Sequence, residues 1–500
     1  MTNENNRLKY VMRTAVRLLA VAVMLMVSAT AGAQSVTPAE VSTWDALKSA
    51  IESATSDAPV NVVMMEDIGG SGGITVANEA RSTVSLDLNG HQLSSEFMLS
   101  TSLVSFTVTD NSEAKNGCIT TDWSNTNAPF NITASDCSIT ITDVNIRTVK
   151  GPCIYFSASG CNLTMTGGSL ESPGWSSSVV EFNGGSNNQF TMHDGTIRGG
   201  EYSVKMHSDN DNAFIVSGNP IFEDYSKANV KMSNAPIYVD GPLATTARIS
   251  IYTDQSADDV SGMAITSGLN TSYGSATNFS INGRSDLKIM AYDGEIYFGQ
   301  QMATNDAGGT LGKWCSYYNS SQRMRACSGV TAYKAKVNAA KTGVALTELF
   351  TDGGIIKEDE GVLLKSDGDI VLMKTDDDAD GDYTGNELTG ADDDADQNEN
   401  DGKCYVLSMV DDTFGFFLLE SGVQTLAHKA YLIVDTGAGS RGFLSIGDDG
   451  ATEINEVKNE GVNSETFATA PEWYDLFGRR IEQPTRRGVY VRDGKKHVVK

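Results

Sequence analysis

The sequence predicts an all-β protein: a right-handed parallel β-helix with an N-terminal capping helix, then a β-rich, sandwich-like domain and a short C-terminal β segment. Three observations support this fold class. Apolar and small polar residues alternate with period two, these stretches recur about every 24 residues, and 49 Gly accompany only 10 Pro. Period two indicates strands, and a fixed repeat length indicates a solenoid whose successive coils stack.

Composition and charge argue against several classes of protein. A chain of 500 residues is too long for one ordinary domain, and its 40% apolar residues suffice for a buried core. The net charge of −27 argues against a nucleic-acid partner, because binding phosphates requires a basic surface. No apolar run of ~18 residues follows the N-terminal region, so we expect no transmembrane helix in the mature chain.

The N-terminus is predicted to be a cleaved export signal, residues 1–33. Basic residues precede the apolar run Leu18–Val27, and Ala31-Gly32-Ala33 has the small residues of a cleavage site. The segment carries four Lys/Arg and one Glu, so its removal takes the net charge from −27 to −30. We therefore expect a secreted protein or one on the outer cell surface. The seven Cys are scattered and lack a CxxC, which gives no support to a disulfide scaffold or zinc ribbon.

The repeat is clearest between residues 138 and 221. The first apolar residues of four successive units lie 24, 27 and 24 residues apart and are Ile139, Leu163, Phe190 and Phe214. An earlier unit begins at Phe106, and the longer gap of 33 residues after it should hold an inserted loop. Stacking predicts a second interior column, which consists of Ile141, Met165, Met192 and Val216. The threonines between the two columns should point outward; these are Thr140, Thr164 and Thr191.

A further column lies two residues before the first apolar position and contains Cys137, Cys161, Asn188 and Asn212. Asn residues in the same register of a turn are what a stacked amide ladder requires. The two Cys would be direct neighbours on successive coils, either as small fillers or within disulfide reach.

An N-terminal helix over Thr37–Ala54 should cover the open end of the solenoid, whose strand edges would otherwise be unpaired. Its apolar residues have helical spacing and are Val41, Trp44, Leu47 and Ile51. Thr37 is the expected N-cap, with Pro38 at the first helical position and Glu40 at the third.

Several segments resemble known families. The helix, the strand 60–65 and the run VSLDLNGHQL at 84–93 resemble the opening of pectate-lyase-like and adhesin-like β-helix proteins, and residues 229–243 resemble their closing coils. The resemblance covers about 37–300 and implies an architecture rather than an activity. We therefore expect a β-helix domain at 34–305.

Near residue 308 the pattern changes, and we expect a second, β-rich domain at 310–450. Its predicted strands are 330–337, 343–350, 361–364, 403–409, 415–419 and 427–434. The runs GVLLK, CYVL and AHKAYL resemble a module of secreted multidomain proteins of the Bacteroidota. This resemblance implies a location more than a chemistry.

A linker at 451–471 should precede a C-terminal segment at 472–500. The runs WYDLFGRRI, GVYV and KKHVVK resemble the tails of the same exported proteins, and they are similar to the sorting signal read by the type IX secretion system. The resemblance implies the export machinery as a partner. Residues 473–500 carry eight Lys/Arg and three Asp/Glu, so docking against the acidic body is an alternative role.

An acidic segment at 375–402 contains ten Asp and two Glu and no Lys or Arg. It matches the EF-hand calcium loop in its alternating carboxylates, which are Asp376, Asp378, Asp380, Asp382 and Glu387. Neither flank has the pattern of an amphipathic helix. The segment is therefore either a Ca²⁺ site or a solvated acidic loop.

Sequence support for catalysis is weak. The Gly-His-Gly and Arg-Ile-Lys motifs of polygalacturonase-like hydrolases do not occur, and His91, His193 and His207 are isolated. The aromatic residues best placed to contact sugars are Trp123, Trp175, Tyr155 and Tyr202. We predict an exported, non-catalytic surface or secreted protein whose β-helix face serves adhesion or carbohydrate contact, with a glycan or a host or cell-surface ligand as partner. The alternatives are a β-helical polysaccharide lyase or glycoside hydrolase with an unrecognised site, and a structural envelope component.

Overall fold

The computed structural model describes residues 37–121, 128–173, 178–206, 211–232, 234–307, 312–410, 413–435 and 442–447, and the backbone of strands at 473–475, 480–481, 488–492 and 495–499. The protein is nearly all β, with 50% strand and 5% helix, which confirms the predicted fold class. The chain divides into two compact units, with the boundary between Phe298 and Gly299.

The first unit is a parallel β-solenoid of about nine turns. Its strands form three columns, and each strand pairs in parallel with the equivalent strand of the next turn. The first column consists of Ala39–Val41, Val60–Met64, Thr83–Asp87, Ser105–Thr109, Ser138–Thr142, Ile237–Leu243, Thr266–Ser267 and the first halves of three long strands, Asn162–Ser172, Gln189–Gly199 and Ala213–Glu223.

The second column consists of Ile68–Thr75, Gln92–Leu99, Cys118–Thr120, Asn145–Arg147 and the second halves of the long strands. The third consists of Phe130–Ile132, Ile154–Phe156, Val180–Phe182, Tyr202–Lys205, Ala228–Lys231, Ile249–Tyr252 and Phe279–Ile281. A short helix, Ala257–Val260, and a 3₁₀ turn, Ala276–Asn278, interrupt the last turns, and the strands Leu287–Tyr292 and Glu295–Gln301 follow them.

The predicted interior columns are confirmed. Leu163 pairs in register with Ile139 on one side and Phe190 on the other, and Phe190 pairs with Phe214. All four side chains are buried, and the rings of Phe190 and Phe214 stack with centroids 5.3 Å apart. Phe106 is the register partner of Ile139, so the coil between them contains the additional residues that the 33-residue spacing predicted.

Two features stabilise the turns of the solenoid: a ladder of asparagine side chains and a glycine at a close contact between coils. The predicted amide ladder is present: Asn188 Oδ1 accepts from the Cys161 backbone N–H at 2.9 Å, and Asn212 Oδ1 accepts from the Asn188 N–H at 2.9 Å. The second feature is the glycine. Gly168 has φ of +74°, and a Cβ there would lie 2.1 Å from the carbonyl oxygen of Val144 in the previous coil, so only glycine fits.

The capping helix is present but begins later than predicted. It spans Trp44–Glu52, and its N-cap is Thr43, whose side chain accepts from the Ala46 N–H. The predicted start at Thr37 is wrong, because Ala39–Val41 is a strand that pairs with Val62–Met64. Pairing with the first full strand of the solenoid therefore overrides the helix-start pattern of Pro38 and Glu40. Leu47 and Ile51 are buried, as their spacing indicated.

The second unit is mostly antiparallel. Its described strands are Asn305–Asp306, Lys313–Tyr317, Arg323–Ala326, Thr331–Val337, Gly343–Phe350, Ile355–Ile356, Val362–Ser366, Val371–Thr375, Leu388–Ala391, Ala395–Asp396, Cys404–Val410, Thr413–Leu418, Gln424–Thr425, Lys429–Ile433 and Phe443–Ile446, with a 3₁₀ turn at Asn398–Asn400. Ten strands form one sheet, in which the pairing of Gly343 with Ser445 is parallel. All six predicted strands of this region occur, with small shifts at their ends.

The C-terminal segment forms a four-stranded antiparallel sheet from Trp473–Asp475, Arg480–Ile481, Gly488–Arg492 and Lys495–Val499. The predicted linker at 451–471 lies outside the described residues, as does the predicted export signal. None of the helices in the described ranges combines the length and the apolar character that a membrane crossing requires.

Candidate functional site

The three outward surfaces of the solenoid carry different side chains, because in-register stacking repeats one coil position along each column. The first bears the threonine column, which consists of Thr107, Thr140, Thr164 and Thr191, all half-buried as expected for outward positions. The second bears a charged column, which consists of Arg147, Glu171, Arg198 and Glu223. The third bears a mixed aromatic and charged column, which consists of Tyr155, Glu181, Lys205, Lys231 and Tyr252.

The charged column alternates in sign, so each arginine meets a carboxylate from the next coil. Arg147 Nη2 lies 3.3 Å from Glu171 Oε1, and Arg198 pairs with Glu223 through Nη2 and with Asp224 through Nε at 3.4 Å. The hydrogen bond to Glu223 raises the pKa of Arg198 above its ordinary value. Arg198 is exposed, so its outer face can still meet a ligand from solvent.

A pocket of about 460 Å³, which we call the coil-edge pocket, opens where the charged column turns toward the third surface. Its lining comes from the same turn of three successive coils and consists of Glu171, Ser172, Pro173, Arg198, Gly199, Gly200, Asp224, Tyr225 and Ser226. Gly199 has φ of +83°, and a Cβ there would lie 2.0 Å from the Ser172 carbonyl oxygen. The backbone of this turn thus packs directly on the coil before it.

A tyrosine–lysine cluster follows the pocket along the same coils. The rings of Tyr202 and Tyr252 have centroids 5.6 Å apart, and Lys227 Nζ lies 5.7 Å and 5.9 Å from them. Burial raises the pKa of the Tyr202 hydroxyl, and the Glu201 carboxylate raises the pKa of Lys227. Lys227 directly follows the pocket residue Ser226 in the chain, so the cluster adjoins one wall of the pocket.

The predicted sugar-contacting aromatics have different surroundings. Tyr202 is 3% exposed, so its ring supports the cluster from inside and is not a free stacking surface. Tyr155 is half-buried on the outward column, and its hydroxyl accepts a hydrogen bond from Asn183 Nδ2. Trp123 and Trp175 lie outside the described residues; in sequence, Trp175 follows the pocket residue Pro173 by two positions.

Sequence reasoning missed the pocket residues Arg198, Asp224 and Tyr225. Arg198 could have been found from the repeat, since it occupies the coil position of Arg147 and Glu171. Asp224 and Tyr225 lie in a turn that follows a long strand, where the sequences of successive coils differ most. The repeat therefore gives no signal for them.

His91 and His193 do not form a Ser–His–carboxylate arrangement. His193 Nδ1 lies 2.7 Å from Ser217 Oγ and 4.0 Å from Asp240 Oδ1. A proton relay needs the nucleophile and the carboxylate on different ring nitrogens, whereas here both face the same one. His91 instead pairs with Asp67 through Nδ1 at 3.3 Å, and His207 lies outside the described residues.

One segment matches a nucleophile motif in sequence but does not have the backbone structure that the motif requires. The run GGSGG at 69–73 fits G-x-S-x-G, but it lies inside the strand Ile68–Thr75, which pairs in parallel with Gln92–Leu99. The motif acts at a sharp turn from a strand into a helix. A serine within a solenoid strand lacks that geometry.

The carboxylates of the predicted calcium loop contact different partners in the second unit. Asp380 Oδ2 accepts from the Ile355 N–H at 2.9 Å, and Glu387 Oε2 accepts from the Val337 N–H at 2.8 Å. Asp378 pairs with Arg323 at 3.2 Å, and Asp382 accepts from the Thr384 N–H at 2.9 Å. The described part of the chain contains no group of three or more His, Cys, Asp or Glu that could hold a metal ion. Calcium binding by Asp376, Asp378, Asp380, Asp382 and Glu387 stays a prediction.

No family model matches the chain, and a search of curated proteins finds no match.

Proposed function

We propose that this is an exported, non-catalytic surface or secreted protein whose solenoid contacts carbohydrate at the coil-edge pocket. The observation that carries the proposal is the pocket itself, which brings Arg198, Glu171 and Asp224 together with Tyr225. A volume of about 460 Å³ lies within the range of small-ligand sites, which is roughly 300–1,000 Å³.

The chemistry of the lining suits a sugar. Guanidinium and carboxylate groups are strong donors and acceptors for the many hydroxyls of a glycan, and such charged hydrogen bonds contribute about 1.5–3 kcal/mol each. An aromatic ring offers an apolar face with a polar edge, which matches the C–H and O–H sides of a pyranose. Tyr155, on the outward column of the third surface, offers a second, half-buried ring for a longer chain.

A binding and turnover experiment separates this function from the enzymatic alternative. The full mature chain is applied to a glycan array, and the same preparation is incubated with acidic and neutral polysaccharides and assayed for unsaturated products and reducing ends. Binding without turnover supports the proposal. Turnover would establish a lyase or hydrolase, and neither binding nor turnover would favour a structural envelope role.

The matched variants for this experiment are Arg198→Ala in the pocket and Thr164→Ala on the first surface. Thr164 belongs to the same solenoid but to a different outward column. Loss of glycan binding in the first variant only would place the contact at the pocket. Equal loss in both would place the contact elsewhere.

Export is the second part of the proposal. The leader at 1–33 has the charge and apolar pattern of a signal peptide, and the tail at 472–500 resembles sorting segments of exported Bacteroidota proteins. Surface labelling of intact producing cells, with the full chain and with a chain lacking 473–500, tests it. We expect labelling that depends on the tail. Labelling that is unchanged without the tail would favour the intramolecular docking role.

Calcium is proposed as a ligand of the acidic segment only. The oxygen-rich run from Asp376 to Glu387 supports it, but a bound ion would have to compete with contacts such as Asp378–Arg323. Calorimetric titration of the full chain with Ca²⁺ should then show weak heat, with a dissociation constant in the sub-millimolar range at best. No heat above buffer, or identical heat from the Asp380→Asn variant, would end this proposal.

A further inference from the structure

Two cysteines occupy the same turn position in successive coils of the solenoid. Cys137 and Cys161 each precede a strand of the first column, and those strands pair in register from Ser138 with Asn162 onward. Neighbouring parallel strands are about 4.8 Å apart. A disulfide requires Cα atoms about 4.4–6.8 Å apart, so the register of the coils puts this pair in range.

The two side chains also point to the same place. Both are fully buried, and both thiols lie against the carbonyl oxygen of Ala134, with Sγ–O distances of 3.4 Å for Cys137 and 3.3 Å for Cys161. The interaction between the two thiols lowers the pKa of Cys137 and raises the pKa of Cys161. Both sulfur atoms therefore lie beside one carbonyl oxygen in the interior of the solenoid.

The other two cysteines of the described solenoid, Cys118 and Cys153, have different surroundings. Cys118 lies in the second column, and its register partners on the two adjoining strands are Gln92 and Asn145. Cys153 is buried, and its thiol contacts the carbonyl oxygens of Ile146 and Glu171. Stacking thus places cysteine next to cysteine at 137 and 161 and not at 118.

We propose that Cys137 and Cys161 form an inter-coil disulfide in the exported protein, which would link two successive turns covalently. Because both residues are buried after folding, the bond forms while the coils assemble. The reaction is a thiol–disulfide exchange with a dithiol oxidoreductase in its disulfide form, or with oxidised glutathione. One cysteine thiolate attacks that disulfide and releases a thiolate; the second then attacks the mixed disulfide and releases the other. The protein loses two electrons and two protons, and the oxidant is reduced to two thiols.

The proposal rests on the proposed export only for its oxidising compartment, so it can be tested without cells. The full mature chain is unfolded in reductant and refolded in a mixture of oxidised and reduced glutathione. Free thiols are then alkylated under denaturing conditions and the chain is digested without reduction for mass spectrometry. We expect peptides that contain Cys137 and Cys161 to be linked. Both cysteines alkylated, or Cys137 linked to a different cysteine, would overturn the proposal.

A stability measurement provides the matched control. Adding reductant should lower the unfolding temperature of the oxidised chain by about 5–10 °C, because the cross-link restricts the unfolded state. The same shift should occur in Cys118→Ser and be absent in Cys137→Ser. A reductant shift that persists in Cys137→Ser would contradict the proposal. A linked pair after refolding but free thiols in protein taken from cells would instead contradict the proposed export.

Discussion

The two units of this protein use their charged residues in opposite ways. In the solenoid, a charged side chain meets the residue at the same position one coil away, as Lys205 meets Glu181 at 2.8 Å, and the resulting columns face outward. In the second unit, Arg323, Arg325 and Lys334 reach the acidic segment about 50 residues further along the chain. The comparison indicates that charge pairs of the solenoid lie in columns on its outer surface, whereas charge pairs of the second unit connect distant parts of the chain.

The largest effect should come from the solenoid interior. Phe190→Ala removes a fully buried ring that stacks on Phe214, and we expect a loss of about 3–5 kcal/mol in the free energy of unfolding. Thr191→Ala, at the next, outward position, should cost far less. Hydrogen-exchange mass spectrometry during urea unfolding reads the two units separately. Similar losses for the two variants would contradict the inward and outward assignment.

A smaller loss is expected at the turns. Gly168→Ala would place a Cβ against the Val144 carbonyl in a backbone conformation that favours glycine, and we expect a cost of about 1–3 kcal/mol. Gly69→Ala is the matched control, because a Cβ there would meet nothing within 4 Å. Equal unfolding midpoints in urea for the two variants would show that close packing of the turns contributes nothing.

The smallest effect is expected in the second unit, and it should depend on pH. Arg323 holds the pKa of Glu358 below its ordinary value of 4.5 through a hydrogen bond of 2.7 Å. A lowered carboxyl pKa stabilises the fold above pH 4.5, and this contribution is lost as the pH falls through the lowered value. Because both side chains are about one-third exposed and solvent screens the pair, Arg323→Ala should lower the free energy of unfolding only slightly at pH 7.

Urea unfolding of the wild type and the variant between pH 3 and pH 7 measures this dependence. The difference in free energy of unfolding between the wild type and Arg323→Ala should become smaller as the pH falls. Lys336→Ala, at an exposed position of Thr331–Val337, the next strand along the chain, is the control and should show no such trend. A difference that stays constant to pH 3 would remove Glu358 as its source.

The same comparison explains what could be predicted from the sequence. The interior columns and the amide ladder follow from a repeat, since one register fixes every coil, and Ile139, Leu163 and Phe190 were placed correctly on that basis. The start of the capping helix was misplaced because the pairing of Ala39 with Val62 is a contact between turns that local pattern does not contain. Likewise, the Arg323–Asp378 contact joins residues far apart in an irregular sequence.

The candidate site could be predicted from the sequence only in part. Its charged column is periodic and could have been read from Arg147, Glu171 and Arg198. Its other wall, at Asp224 and Tyr225, is a turn whose sequence is unique to one coil, so its position depends on the folded chain.

The central claim, that the exposed charged column of the solenoid binds carbohydrate whereas Arg323 of the second unit serves contacts within its own unit, is tested most directly by two arginine variants. Glycan binding is measured for the full chain carrying Arg198→Ala or Arg323→Ala, on whichever glycan the wild type binds. The account predicts an affinity loss of about tenfold or more for Arg198→Ala, equivalent to about 1.4 kcal/mol, and wild-type affinity for Arg323→Ala. Wild-type affinity for Arg198→Ala, with a loss for Arg323→Ala, would contradict it.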